Sequence, residues 1–280
     1  IIFLPIFRLN KINNYNEGIY HYQLEKKQVD SYETILLGDS SLGNAINAQL
    51  FSEVLNTKAV NLGLTGSYGY AGSYNLLKTF FSPSTTKNII LIYTLDIPLR
   101  GQSMYPYLYT INSIRDIMDL NFRYLLQLVY EYILLFDDGM RAIFINKNKN
   151  YKINNDYIEQ SKSQFSYDKK KHKKQQYLNR FKLNKINNQK FYFLKKIKEF
   201  CNNAKINLVY MHGPSIDIEN NEYIDTLNNI ISSYSFNVVD TLIVLNETTI
   251  GDTFDHVHPS YKDKVTLQYA EILKKYIKLD

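Results

Sequence analysis

Two short stretches at opposite ends of the chain carry side chains that together could perform acyl-transfer chemistry. Near the start, Ile35-Leu36-Leu37 runs into Gly38-Asp39-Ser40-Ser41, an apolar segment that breaks into a small-residue turn and could present Ser40 at the tip of a strand. Near the end, Asp255-His256-Val257-His258-Pro259 offers a histidine and, three residues before it, a carboxylate to orient it. A serine hydroxyl is a weak nucleophile until an imidazole accepts its proton. His258 is the expected base. Asp255 is expected to accept from its other ring nitrogen, fixing the tautomer and stabilising the imidazolium. Ser40 would open the following helix, where its N–H and the helix dipole favour a developing negative charge. The loop Asn61-Leu62-Gly63-Leu64-Thr65-Gly66 could bring a second backbone N–H to that oxyanion, because glycine lets the main chain approach closely.

Each of these residues also has a plainer reading. Ser40 could be a helix N-cap. Asp39 fits a structural turn, and together with Asp96 and His212 it is also a candidate substrate contact, since all three would follow predicted strands. His212 could equally be a hydrogen-bonded loop histidine. His256 reads as a solvent-exposed neighbour of the working pair. A metal reading would gather Asp255, His256 and His258 with Asp39 and Asp96, but no second histidine-rich motif supports it, and no metal or cofactor is expected.

The elements that must position these residues can be read from periodicity. Thr34 to Leu37 is a short β-prone run, and Lys58 to Leu62 a second. Asn88 to Tyr93 is almost continuously apolar, as in a strand covered on both faces. Leu42, Ile46, Leu50 and Val54 recur every four residues and predict one helix face; Tyr74 to Phe81 also reads as helical. After a long interruption the alternation resumes. Phe191 to Phe200 reads as a helix, Ile206 to Met211 as a strand, Asn221 to Ser233 as a helix and Phe236 to Asp240 as a strand. Pro259 to Tyr276 closes the chain as a helix with Val265, Tyr269, Ile272 and Tyr276 on one face. Strands alternating with helices at this spacing imply right-handed βαβ units and a parallel sheet.

The interruption, at about 100–188, reads as a helical, lysine-rich insertion. Ile117, Leu120, Tyr124, Leu125, Leu128, Val129, Tyr132 and Leu135 are periodic, but Asp119, Arg123 and Glu131 break any membrane-spanning run. Lys169-Lys170-Lys171-His172-Lys173-Lys174 is either a solvated stretch or a basic face for anionic polysaccharide or lipid headgroups. The net charge of +6 is too mild to imply nucleic acid. A single cysteine, Cys201, precludes an intramolecular disulfide. The 25 tyrosines could stack on sugar rings or simply reflect a biased genome. Residues 1–32 form an N-terminal segment opening on the apolar Ile1 to Phe7, read either as the tail of a membrane anchor or as an edge segment packed on the domain of residues 33–280.

The same motifs resemble those of the SGNH (GDSL-type) hydrolases. Gly38-Asp39-Ser40-Ser41 is similar to the first block, Asn61 through Gly66 to the second, and Asp255 through Pro259 to the last, in family order. The resemblance covers about the first hundred and the last eighty residues. It implies a flavodoxin-like three-layer α/β/α fold with a parallel sheet of about five strands, catalysis by Ser40, His258 and Asp255, and oxyanion donors at Ser40 and Gly66. The third block departs: where the family has a Gly-x-Asn-Asp turn, this chain has Tyr93-Thr94-Leu95-Asp96. Leucine donates no hydrogen bond, so Thr94 would have to substitute or the hole would keep two donors. Losing one such donor costs roughly 3 kcal/mol of transition-state stabilisation. Divergent members linked to bacterial polysaccharide O-acetylation share this degenerate block. The expectation is therefore a serine esterase or O-acyltransferase acting on acyl esters, chiefly O-acetyl esters of a cell-surface glycan, in an extracytoplasmic or envelope-associated setting. The alternatives are a non-catalytic carbohydrate-binding domain on the same fold and a metal-dependent phosphoesterase.

Overall fold

In the computed structural model, the described residues are 15–28, 31–100, 104, 107, 110–111, 114–131, 133, 174–186, 191–219 and 221–278. The central sheet contains β1 (Thr34–Gly38), β2 (Ala59–Gly63), β3 (Asn88–Tyr93), β4 (Asn207–His212) and β6 (Asn237–Val239). All pairs are parallel and the spatial order is β2-β1-β3-β4-β6. Counting only these five strands, this is the 2-1-3-4-5 order of flavodoxin-like sheets, whose switch point, and hence ligand crevice, lies between β1 and β3. A separate two-stranded parallel ribbon joins β5 (Ser215–Ile216) to β7 (Val244–Leu245).

The strands are apolar throughout because both faces are covered. Ile35 and Leu37 of β1 join one buried cluster with Ile89, Leu91 and Tyr210, while Leu36 joins another with Ile90, Ile92, Val209 and Met211. The first cluster is completed by α1 (Tyr15–Glu25), α4 (Gly69–Phe80), α6 (Tyr192–Asn203) and α7 (Asn221–Ser233). The second is completed by α2 (Ser40–Ala45), α3 (Ala48–Leu55) and α8 (Lys262–Leu273). The result is three layers. The outer edge of β2 is closed by side chains: Gln23 Nε2 donates to Gly63 O at 2.5 Å and Lys26 Nζ to Asn61 O at 2.7 Å. These bonds occupy strand-edge carbonyls that would otherwise invite another strand.

Several predicted elements differ in detail. The single helix expected from Leu42 onward is two, because Asn47 starts a new one. Its side chain accepts from Gln49 N and Leu50 N, and its own N–H donates to Thr266 Oγ1 of α8 at 2.9 Å. The break turns the four-residue stripe: Phe51 and Leu55 are buried, whereas Val54 is exposed. Helix α4 begins at Gly69, five residues before the predicted Tyr74, because Tyr70, Ala71 and Tyr74 all pack into the core despite loop-like composition. In α8 the buried stripe is Val265, Tyr269 and Leu273, while Ile272 and Tyr276 are half-buried.

Part of the expected insertion packs on the domain. The helix α5 (Ile114–Met118) and a helical stretch over 122–131 place Leu120, Tyr124 and Leu128 in the core beside Tyr107, Tyr177 and Phe181. Val129, expected on that face, is exposed. Tyr132, Leu135 and the lysine run as far as Lys173 lie outside the described residues, as does the apolar start of the chain. Among the described residues no helix is long and apolar enough to cross a membrane.

Candidate active site

The turn after β1 is built by close approach and by one buried carboxylate. A side chain at Gly38 would strike the Ile92 carbonyl of β3. Asp39 follows as the N-cap of α2. Its Oδ1 accepts from Ser41 N at 3.0 Å and Ser41 Oγ at 2.6 Å, and its Oδ2 accepts from Thr94 N at 3.1 Å. Asp39 thus ties the turn after β1 to the turn after β3 at the switch point. It is buried, which raises its carboxyl pKa; Asp255 adds to the rise, while Arg100, Ser41 and Thr94 oppose it. Its capping role leaves Ser40 as the first helical residue with its own side chain unspent, so Ser40 is not the cap.

Ser40 Oγ lies 2.9 Å from His256 Nε2, and His256 Nδ1 lies 2.7 Å from Asp252 Oδ1. A neutral imidazole protonated on Nδ1 donates to Asp252 and accepts the serine O–H on Nε2. The histidine is held by a local fold-back. An antiparallel bridge pairs Ile250 with Val257, Gly251 N donates to His256 O at 2.7 Å, and His258 N donates to Thr249 O at 2.7 Å. Val257 is buried in the second cluster and pins the segment. Burial works against charge on His256, but the Asp252 hydrogen bond and the charges of Asp255, Asp252 and Asp39 outweigh it. Its pKa therefore stands above the ordinary histidine value. The hydrogen bond from His256 chiefly holds the Asp252 carboxyl below the usual range.

This corrects the expected pairing of Ser40 with His258 and Asp255. His258 is half-buried and engaged elsewhere: its Nδ1 lies 2.6 Å from Ser260 Oγ and accepts from Ser260 N at 3.3 Å, capping the 3-10 turn Pro259–Tyr261. The His258-Pro259 half of the Asp-x-x-His-Pro stretch is consumed by that helix start. Asp255 is buried behind the site, accepting from Thr253 Oγ1 at 2.5 Å and facing Arg100 Nη2 at 3.6 Å. Burial alone would raise its pKa, but His256, Thr253 and Arg100 overcome this and lower it. His256 is thus not the solvent-exposed neighbour expected from the sequence but the partner of Ser40, and Asp252, its own partner, carried no sequence expectation. Their four-residue spacing was visible in the sequence, but nothing there ranks it above the Asp-x-x-His spacing.

The remaining expected contacts have other duties. His212 is buried, with Nε2 2.7 Å from Asn228 Oδ1, and burial lowers its pKa to about 4; it is a neutral core histidine. Asp96 is also buried and holds Arg100, accepting from its Nε at 2.8 Å and Nη2 at 2.7 Å, with Arg180 Nη1 at 3.5 Å on its other oxygen. Thr94 spends its N–H on Asp39. Its hydroxyl has no hydrogen-bond partner among the described residues but is fully buried beside the Asp255 carboxylate and the Tyr177 hydroxyl, and it is this burial that makes Thr94 a poor oxyanion donor. Leu95 is buried in the first cluster and its carbonyl accepts from Tyr223 Oη at 2.7 Å. Asn61 is structural too, donating to Leu42 O and Ile46 O and accepting from Gly63 N. Gly66 N and Ser40 N donate to no protein group among the described residues, so both are available to a ligand. With α2 only six residues long, that availability rests on the individual N–H groups rather than on a helix dipole. Asp39, Asp96, Asp255 and His256 lie around one rim with Arg100 among them, but among the described residues no group of three or more His, Cys, Asp or Glu is placed to hold a metal ion.

Fold and geometry together define a doubly wound α/β protein with a serine, a histidine and an aspartate in hydrogen-bonded series at the carboxyl ends of its strands. No protein-family model, curated protein or solved structure matches the chain at a significant level.

Proposed function

We propose that the protein is a serine esterase or O-acyltransferase of the SGNH-like kind, working through an acyl-serine intermediate. The observation that carries this reading is the series Ser40 Oγ, His256 Nε2, His256 Nδ1, Asp252 Oδ1, with contacts of 2.9 and 2.7 Å. Such a series between residues 216 apart in sequence serves no evident packing purpose. Ser40 Oγ attacks the acyl carbonyl while His256 Nε2 accepts the hydroxyl proton. Asp252 holds the imidazole in the required tautomer and stabilises the imidazolium. Ser40 N–H and Gly66 N–H, neither spent on a protein acceptor among the described residues, are the donors assigned to the developing oxyanion. His256 then returns the proton to the departing alkoxide. Water or a sugar hydroxyl completes the cycle by the same steps in reverse order. The resemblance noted above favours an O-acetyl ester of a cell-surface glycan as substrate and an extracytoplasmic location.

The test is covalent labelling with a fluorophosphonate probe together with turnover of p-nitrophenyl acetate. Wild type is expected to label at Ser40 and to turn over, and Ser40→Ala to do neither. Turnover that survives in Ser40→Ala would end the proposal. One observation favours a second reading, a non-catalytic carbohydrate-binding domain: the turn after β3 offers no amide side chain, and its Thr94 N–H is spent on Asp39. That reading predicts glycan binding with no labelling of Ser40.

A further inference from the structure

We propose that Arg100 is a catalytic residue of this site, its Nη1 group donating to the substrate oxyanion in the place that the turn after β3 leaves without an amide. The inference rests on the acyl-serine reading above and assigns that site a third donor which its motifs do not contain.

Three observations converge on it. First, Arg100 Nη1 lies against Gly66: a Cβ added at Gly66 would fall on that nitrogen. The absence of a side chain at residue 66 therefore makes room for the guanidinium. Second, the guanidinium is aimed by its other nitrogens. Nε and Nη2 both bind Asp96 Oδ1, and Nη2 also faces Asp255 Oδ2 at 3.6 Å. Nη1 makes no hydrogen bond among the described residues, so its two N–H groups are available to a ligand. Third, Arg100 is flanked by the neighbours of both reacting groups. Asp39 precedes Ser40, Asp255 precedes His256, and the guanidinium lies within the electrostatic reach of both carboxylates. Its side chain is 35% exposed while Asp96 behind it is 2% exposed, so the cation is anchored from below and open from above.

A surface ion pair would have little reason to take this form. Asp96 is fully interior, and a buried carboxylate needs a partner, but Arg180 already approaches its second oxygen. The fixed fork of arginine can be oriented by two nitrogens and still offer the third, which a lysine ammonium cannot do. In the reaction, the bond from Ser40 Oγ to the carbonyl carbon forms as the carbonyl π electrons move onto oxygen. Arg100 stabilises that oxygen by hydrogen bonding and transfers no proton. When the C=O bond re-forms, the alkoxide leaves with the proton held by His256. Charge that exists only in the transition state is the kind of target at which a preorganised donor is most effective.

The experiment compares wild type with Arg100→Lys and Arg100→Ala in the whole chain, following p-nitrophenyl acetate turnover, fluorophosphonate labelling and thermal melting. Wild type is expected to label and turn over. Arg100→Ala should lose about 100-fold in kcat with KM within about threefold, and labelling should slow in parallel because the phosphonyl oxygen occupies the same hole. Millimolar guanidinium should restore part of the Arg100→Ala rate, which a merely structural arginine would not show. Arg100→Lys keeps the charge beside Asp96 and so tests the proposal even if Arg100→Ala misfolds; it should also lose about 10-fold or more in kcat. A folded Arg100→Lys with wild-type kcat, or a loss confined to KM, overturns the proposal while leaving the acyl-serine mechanism in place. A wild-type protein that neither labels nor turns over overturns both.

Discussion

Replacing His256 by alanine and, separately, His258 by alanine gives the sharpest trial of the site. The two histidines are separated by one residue and would be hard to rank by sequence, yet their surroundings predict opposite outcomes. His256 Nε2 is the acceptor 2.9 Å from Ser40 Oγ, and His256→Ala leaves that hydroxyl without a base. General-base assistance accounts for roughly 10²–10⁴ in rate, and members of such a series lose most of their joint effect when one is removed. The expected fall in kcat/KM is therefore about 10³–10⁴, or roughly 4–5.5 kcal/mol of transition-state stabilisation at 1.36 kcal/mol per decade. His258→Ala removes a contact to Ser260, including an acceptor at 3.3 Å at the start of a 3-10 turn, and an edge contact to the Tyr261 ring, none of them at Ser40. Loss of such a cap costs under about 1 kcal/mol of stability, and kcat/KM should stay within about threefold. Esterase kinetics on p-nitrophenyl acetate with a parallel melt of each variant decides the matter. If both variants fold and His258→Ala is the inactive one, the assignment of the base is wrong.

Other outcomes follow from the same geometry. His256 must be neutral to act as base, and its pKa lies above the ordinary histidine value; kcat/KM should therefore rise with pH along an acid limb placed above that value, and Asp252→Asn or Asp255→Asn should move the limb to lower pH. A pH-rate profile in which neither variant shifts the limb would contradict the electrostatics. Gly63→Ala would set a Cβ 2.7 Å from Gly43 N and 3.0 Å from Asp39 O, main-chain atoms that cannot swing away, so urea melts should show a loss of about 1–3 kcal/mol, and an unchanged midpoint would refute the packing. Lys26 is half-buried against β2 and its pKa is lowered to about 8 from 10.5, by desolvation and then by Lys262. Between those values the unfolded chain binds more protons, so stability should rise with pH across that window in wild type more than in Lys26→Met. Parallel slopes in the two proteins would refute the assignment.

What was legible in the sequence follows from how local each cause is. The strands were readable because both of their faces are buried: Ile89, Ile90, Leu91 and Ile92 have no solvent side to mark with a polar residue. The turn at Ser40 was readable because small residues must follow a strand that crowds its neighbour at Ile92. The choice between His256 and His258 was not readable, since it depends on a fold-back that pairs Ile250 with Val257 and on Ser260 claiming His258. Asn47 was hidden by a stripe that runs through Leu42, Ile46, Leu50 and Val54 without a break in hydrophobicity; the break is made by an amide side chain and by α8, far away in sequence. Arg100 gave no signal, because its meaning depends on what lies opposite Gly66.

The register between β3 and β4 also bears on how the chain assembles. Asn88 and Asn207 are bonded side chain to side chain at 3.0 Å across 119 residues, whereas β1 meets β2 across about 25 and β3 across 54. Closing the longest of these loops costs about 1.4 kcal/mol more entropy than closing the shortest, and distant contacts form late. The β2-β1-β3 half, with Ser40 already at its rim, is thus expected to form first, and β4, β6 and α8 to dock afterwards. On that order mutational φ-values in β1 exceed those in β4, and His256 reaches Ser40 only in the last stage of folding, so on the proposed acyl-serine reading partly folded chains carry an inert serine.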